Sequence, residues 1–196
     1  MPHAVNDEAL DTIFRTARSQ NKWLEKPVSP ALLMAVYDLM RFGPTSANIS
    51  PARIVFLVSP ESKKRLKPHL AEFNVQKTMT APAVAIIGYD LDFPDKMSKL
   101  FPHNPAAKDW FNDRAVRQIN AFRNGTLQGG YFIIAARALG LDCGPMSGFD
   151  NACVDKEFFG GTNVKSNFIC GVGYGDPSGL FPRSPRLDFD EACRIL

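Results

Sequence analysis

Apolar residues recur at helical spacing in three stretches of the chain and crowd into nearly unbroken runs in three others. Leu10, Ile13, Phe14 and Ala17 share one face of a helix predicted over 7–17, which delivers Arg18, Ser19, Gln20 and Asn21 at its end. A second helix is signalled by Ser29 at the N-cap, Pro30 at N1, a stripe of Leu32, Val36, Leu39 and Met40, and Gly43 at C′. Pro44 blocks its continuation. The third and longest, 113–139, carries Val116, Ile119, Leu127, Ile134 and Ala138 on or near one face, and Gly140 offers its stop. Gly129-Gly130 inside it weakens the helix but permits close packing.

The runs read as strands. Residues 53–59 alternate so little with polar ones that a central position is expected, 83–89 form a second buried strand, and 167–173 a third. Residues 60–74 look helical but must break or kink at Pro68, and their basic cluster KKRLK (63–67) reads as a solvated face. Residues 91–112 hold prolines and aromatics without a period, as a lid or a surface excursion would. CGPMSGFD (143–150) reads as a loop, followed by a short helix near 154–159, and the tail contains PRSPR (182–186). No repeat or low-complexity linker divides the chain, so a single α+β domain over 1–196 is expected.

Composition narrows the function class. With 45% of 196 residues hydrophobic, the chain can bury a substantial core, and 23 basic against 20 acidic residues is too even a balance to announce a nucleic-acid or membrane partner. Small-molecule chemistry is the better starting point. Cys143, Cys153, Cys170 and Cys193 form no CxxC pair, and His3, His69 and His103 lie far from them in sequence, so neither a metal site nor a disulfide framework is indicated. MPHAVNDEALD lacks the basic and apolar regions of a leader, and no segment offers eighteen uninterrupted apolar residues; a cytoplasmic location follows as the default.

Two loops carry serines, Ser46 and Ser147. GPMSG (144–148) matches a nucleophile elbow only loosely, and no histidine follows Ser147, which excludes the nucleophile-acid-base order of α/β-hydrolases. Phosphate binding needs cations and main-chain N–H groups instead, and Arg18-Ser19 with Arg183 and Arg186 could supply them. Neither GxGxxG nor GxxxxGK[ST] is present, so the cradle would be of another kind.

RSQNKWLEKPV (18–28), GPTSANISPARIVFL (43–57), NVQKTMTAPAVAII (74–87), LGLDCGPMSGFD (139–150) and VGYGD (172–176) fall in the order and spacing of the FMN-dependent nitroreductase family, which the chain resembles over nearly its whole length. Through GPTSAN, SPARIVF, QKT, FPH, GPMSGFD, KSN and GYGD it is similar to the malonic semialdehyde reductase branch associated with pyrimidine degradation. The resemblance implies an α+β nitroreductase-like fold, with a mostly antiparallel central sheet flanked by helices, and a homodimer with FMN at the interface.

It also implies roles for particular residues. Arg18, Ser19 and Asn21 would grip the FMN phosphate and ribityl chain. Where the family carries an arginine-rich RRSxR this chain has Ala17-Arg18-Ser19-Gln20-Asn21, so Arg183 and Arg186 would carry more of the charge. Pro44, Thr45, Ser46 and Asn48 would lie along the flavin, Asn74 and Lys77 at its pyrimidine side, and Pro145, Met146, Ser147 and Gly148 would bring a backbone N–H to N5. Phe101, Trp110 and Phe111 would belong to a cover over the substrate. Lys108, Arg117 and Arg123 are available to a substrate carboxylate, with nothing to select among them.

No side chain is implied as a catalytic acid, the hydride chemistry being carried by FMN with NADH or NADPH as donor. The implied reaction is ping-pong reduction of malonic semialdehyde to 3-hydroxypropionate. The alternatives are a general nitro or quinone reductase acting on other small electrophiles, or a flavin-binding carrier or sensor without significant turnover.

Overall fold

The computed structural model describes residues 3–196; Met1 and Pro2, part of the stretch read for a leader, lie outside them. Four antiparallel strands form one sheet, Ala52–Leu57 (β1), Ala83–Asp90 (β2), Asp142–Met146 (β3) and Val164–Gly173 (β4), in the order β1-β2-β4-β3. β2 is buried along its whole length, as its apolar run predicts, because it lies inside the sheet with both faces covered.

Two strand expectations are corrected. β1 is an edge strand and not a central one: Ile54 and Phe56 pack on one face and Val55 on the other, so its sequence reads as buried although one side of its ladder is open. The loop expected at 143–150 begins as β3, the other edge, where Pro145 is tolerated because only one side of the strand must pair.

Among the described residues seven α-helices precede the tail. Asp7–Leu10 (α1) runs into a π-turn over Asp11–Arg15, so the first helix is shorter and wider than its spacing predicts. Pro30–Met40 (α2) is capped by Ser29, whose hydroxyl accepts from the Leu32 N–H. Its buried stripe is Leu33, Val36 and Met40, with Leu39 left exposed. Gly43 serves packing and not a left-handed cap, since a Cβ there would stand 2.5 Å from the Tyr131 ring.

Pro60–Leu66 (α3) and Glu72–Thr80 (α4) flank the break at Pro68; Met97–Leu100 (α5) lies between two 3₁₀ turns; Arg114–Ala138 (α6) spans the domain; Asn151–Phe158 (α7) follows β3. A last short helix, Phe189–Ala192 (α8), sits in the tail. Among the described residues no helix is long and apolar enough to cross a membrane.

Alternate residues of β2 serve opposite faces. Ala85 and Ile87 pack with Val36 and Met40 of α2 and Phe132 of α6, while Val84 and Ile86 pack with Trp23, Leu66 and Val154. α6 lies close to the sheet on small residues: a Cβ on Gly125 would meet Tyr89 at 2.8 Å and one on Gly129 the Phe168 ring at 2.5 Å. Its buried face is therefore Ala121, Gly125, Gly129, Phe132 and Ala136, and the expected core residues Val116, Ile119 and Leu127 are exposed.

The solvated reading of 63–67 fails at Lys63. Its side chain is buried and its ammonium donates to the carbonyls of Met79 (3.1 Å) and Ala81 (2.7 Å), closing the end of α4, and burial lowers its pKa. Lys63→Met removes both charge-assisted bonds while keeping the stem, and should destabilise the fold by about 1.5–3 kcal/mol in urea titration; an unchanged midpoint would mean that water replaces the ammonium.

Candidate functional site

β3 and the segment ahead of α2 build the first half of the site. Ser19 bridges to Cys143 in parallel, the Gln20 N–H donates to the Cys143 carbonyl at 3.0 Å, and Trp23 bridges to Gly175. Ser19 and Gln20 thus line the open edge of β3, and Trp23 meets the chain just beyond β4. A Cβ on Gly144 would stand 2.6 Å from the Gln20 carbonyl, so the approach requires glycine. Lys22 fastens the segment to the end of β4, at 2.8 Å from the Asp176 carboxylate. The lysine, with the Ser178 amide and hydroxyl, holds that carboxyl at a pKa of about 2.

At the outer end of this segment lies a cavity of about 470 Å³, lined by Arg18, Ser19, Asn21, Arg183 and Arg186 together with Arg137 of α6. The five polar residues singled out in the sequence, from its two ends, are brought together here. The tail is pinned in place by its own arginine, Arg183, which donates to the carbonyls of Arg15 (2.9 Å) and Ala17 (3.1 Å), and Arg18 donates to the Phe181 carbonyl.

The second half joins α4 to the end of β3. Asn74, 1% exposed, donates through Nδ2 to the Gly148 carbonyl at 2.9 Å, and its Oδ1 is buried with no partner. The same carbonyl also accepts from the Ala71 N–H at 2.9 Å. A Cβ on Gly148 would stand 2.6 Å from Asn74 Nδ2, so glycine permits the contact. Lys77 is half-buried, and desolvation lowers its pKa. Its carbonyl takes the Trp23 indole N–H at 2.8 Å, tying this half to the segment beside β3. Met146 is buried under Thr78, whose hydroxyl donates to its sulfur at 3.2 Å, while Pro145 and Ser147 are exposed.

The loop carrying Pro44, Thr45, Ser46 and Asn48 is elsewhere. It enters β1, and β1 and β3 are opposite edges, three strand spacings or about 14 Å apart; Ala52 lies in the row of Tyr89, about 10 Å along the strands from the row of Met146. Three of its residues are left-handed, Ala47 (φ 47°), Asn48 (φ 53°) and Ser50 (φ 39°), a conformation that costs on the order of 1–3 kcal/mol at each. Ile49, fully buried between them, anchors the turn.

Two residues not singled out in the sequence hold the loop: Asn124 Oδ1 accepts from the Ser46 N–H and Gln128 Oε1 from the Ala52 N–H, both at 2.8 Å. The signal was available as two amides at i, i+4 on the glycine-bearing face of α6. Asn48 Nδ2 donates to the Leu100 carbonyl at 2.8 Å, directing the loop toward residues 91–112. There Phe111 is buried against Phe93 and belongs to the core, whereas Trp110 is exposed and the Phe101 ring meets that of His103 at a tilt, 3.9 Å between centroids. Arg117 donates to the Phe111 carbonyl at 2.8 Å and lines a polar cavity with Lys108.

A model of the nitroreductase family matches residues 14–175. A provisionally named NADH dehydrogenase/NAD(P)H nitroreductase of Cupriavidus pinatubonensis is 60% identical over 192 residues, 96% of this chain and 98% of that protein. In three dimensions the chain is similar to a provisionally named nitroreductase of Exiguobacterium sibiricum in complex with FMN, with a TM-score of 0.87 at 19% identity over the whole of both chains. It is also similar to a provisionally named NAD(P)H:FMN oxidoreductase of Staphylococcus epidermidis, with a TM-score of 0.85 at 19% identity over 100% of this chain and 98% of that one.

Proposed function

The chain belongs to the nitroreductase family, and from that premise we propose that it is an FMN-dependent NAD(P)H oxidoreductase that reduces a small electrophile, a nitroaromatic or a quinone. The observation that carries the reading is the edge of β3, which has uncompensated arginines at one end and the buried, unpartnered Asn74 Oδ1 beside Gly148 at the other. From Cys143, beside Ser19, the extended chain runs about 10 Å to Met146 and turns at Ser147 and Gly148, which suits a polyol chain and a ring laid along it beyond the arginine cavity.

Bound FMN supplies hydride acceptance from NAD(P)H and hydride delivery to the second substrate. Arg18, Arg183 and Arg186 would hold the phosphate, with Ser19 and Asn21 donating to it and to the ribityl oxygens. Asn74 Oδ1 would accept from the imide N–H, relieving an oxygen that otherwise lacks a partner. Lys77 would set a half-desolvated cation where negative charge develops, worth more there than in water. Ser147 and Gly148 would present main-chain N–H groups to the central ring. The side chain of Ser147 is not required for that, so Ser147→Ala should keep most of the activity; its loss would give the hydroxyl a role of its own.

The remote position of the 44–48 loop supports a homodimer in which each site takes Pro44, Thr45, Ser46 and Asn48 from a second copy. Purified protein should then be a yellow dimer with about one FMN per chain. Anaerobic NADH or NADPH should bleach it, and a nitroaromatic or quinone should restore the colour with turnover. A colourless protein that takes up no FMN would overturn the reading, and bleaching without turnover would leave a carrier or sensor.

A narrower substrate reading rests on the FPH (101–103), GPMSGFD and GYGD motifs: malonic semialdehyde reduced to 3-hydroxypropionate. It is supported if kcat/KM for malonic semialdehyde exceeds that for propanal by about tenfold to a hundredfold, as a positioned cation requires. Faster reduction of a nitroaromatic with no discrimination between the aldehydes would leave the general reductase.

A further inference from the structure

We infer that Arg137, on the last turn of α6, is a fourth phosphate-binding arginine of the cavity formed by Arg18, Arg183 and Arg186, and supplies from a distant part of the chain a cation that the segment after α1 lacks. The inference rests on the FMN reading above and extends it to a residue outside the five sequence blocks.

The segment after α1 offers a single free arginine. Arg15 is close in sequence, but its guanidinium is taken by the carboxylates of Asp7 and Asp11. Arg137 comes from the far end of α6 and lines the same cavity as Arg18, Ser19 and Asn21. Its Nη1 donates to the Ile13 carbonyl at 3.1 Å, its Nε is buried without a partner, and no acceptor among the described residues meets its Nη2. A guanidinium oriented by one carbonyl and left unsatisfied at two nitrogens is poised for a further acceptor.

The charge around it points to an anion. No acidic residue lines the cavity, and none of its four arginines takes part in an ion pair, although seven such pairs occur elsewhere among the described residues. Each of the four instead donates to main-chain carbonyls: Phe181 for Arg18, Ile13 for Arg137, Arg15 and Ala17 for Arg183, Ser184 and Pro185 for Arg186. Neutral carbonyls orient guanidinium groups without cancelling their charge, so four cations share one cavity and repel one another. A phosphate dianion turns that repulsion into attraction. An arginine at a helix C-terminus has an ordinary explanation in the helix dipole, but the dipole alone does not explain its placement among three other uncompensated arginines.

The test is equilibrium titration of flavin-free protein with FMN and with riboflavin, followed by fluorescence quenching. Arg137→Met should weaken FMN binding about tenfold to a hundredfold, the range of a hydrogen bond to a charged group, and leave riboflavin binding within about twofold. Arg137→Lys should fall between, because it keeps the charge and loses the fork. Inorganic phosphate should compete with FMN less well in Arg137→Met than in the parent. Unchanged FMN affinity in Arg137→Met would overturn the assignment while the FMN reading stands. Equal weakening of both flavins would overturn it too, leaving Arg137 as a support for the turn at Ile13. A parent protein that binds neither flavin would bring down the FMN reading and this assignment with it.

Discussion

Asn74→Leu should fold at least as well as the parent and bind FMN about tenfold to a hundredfold more weakly, a combination expected of a residue kept for a ligand and not for the fold. Asn74 is buried, and its Oδ1 has no partner, a desolvated acceptor that costs about 1–3 kcal/mol. Leucine of similar size removes that cost. It also removes the bond from Nδ2 to the Gly148 carbonyl, worth about 1 kcal/mol, but the Ala71 N–H still satisfies the carbonyl. The sum for the flavin-free protein is near zero or favourable. In the proposed FMN complex the sign should reverse, because the acceptor assigned to the imide N–H would be gone while that donor would still be buried. Urea midpoints of the flavin-free proteins and FMN titrations measure the two halves separately. A variant that unfolds earlier yet binds FMN as tightly as the parent would assign Asn74 to the fold alone.

Asn74, Ser19, Lys77 and Gly148 can be proposed from the sequence because each belongs to a contiguous block. Arg137 cannot: one arginine near a helix end satisfies the dipole anywhere, and only the tertiary structure sets it beside Arg18 and the tail. The strained loop was legible in place but not in conformation, since alanine and serine carry no signal for the left-handed region that Ala47 and Ser50 adopt. For α6 the boundaries fared better than the face. The predicted limits of α6 hold to within a residue, with Asp113 accepting from the Val116 N–H at the start and Gly140 at φ 76° beyond the end. Its packing face differs from the one its apolar spacing predicts, because close approach to the sheet selects alanine and glycine over bulky residues.

Ile119→Arg should give a monomer that retains FMN more than a hundredfold less well at micromolar protein. At about 100° per residue, Val116, Ile119 and Leu127 fall opposite the buried face of α6, with Phe122 beside that face against Tyr89, and all four are at least 41% exposed. A long helix apolar on both sides needs a second surface to cover it. On the reading proposed above, a second copy fits that need and would also bring Pro44, Thr45, Ser46 and Asn48 to the site. A guanidinium placed in such a contact meets apolar side chains and loses its hydration, at several kcal/mol per ion. Affinity for FMN should fall with it, since the contacts proposed for the partner's loop would be lost. Raising the protein concentration should restore dimer and FMN together, a coupling that sedimentation and flavin titration on the same samples would show. A monomer with parental FMN affinity would mean that one chain builds the whole site, and a dimer that keeps its FMN would move the contact to another surface.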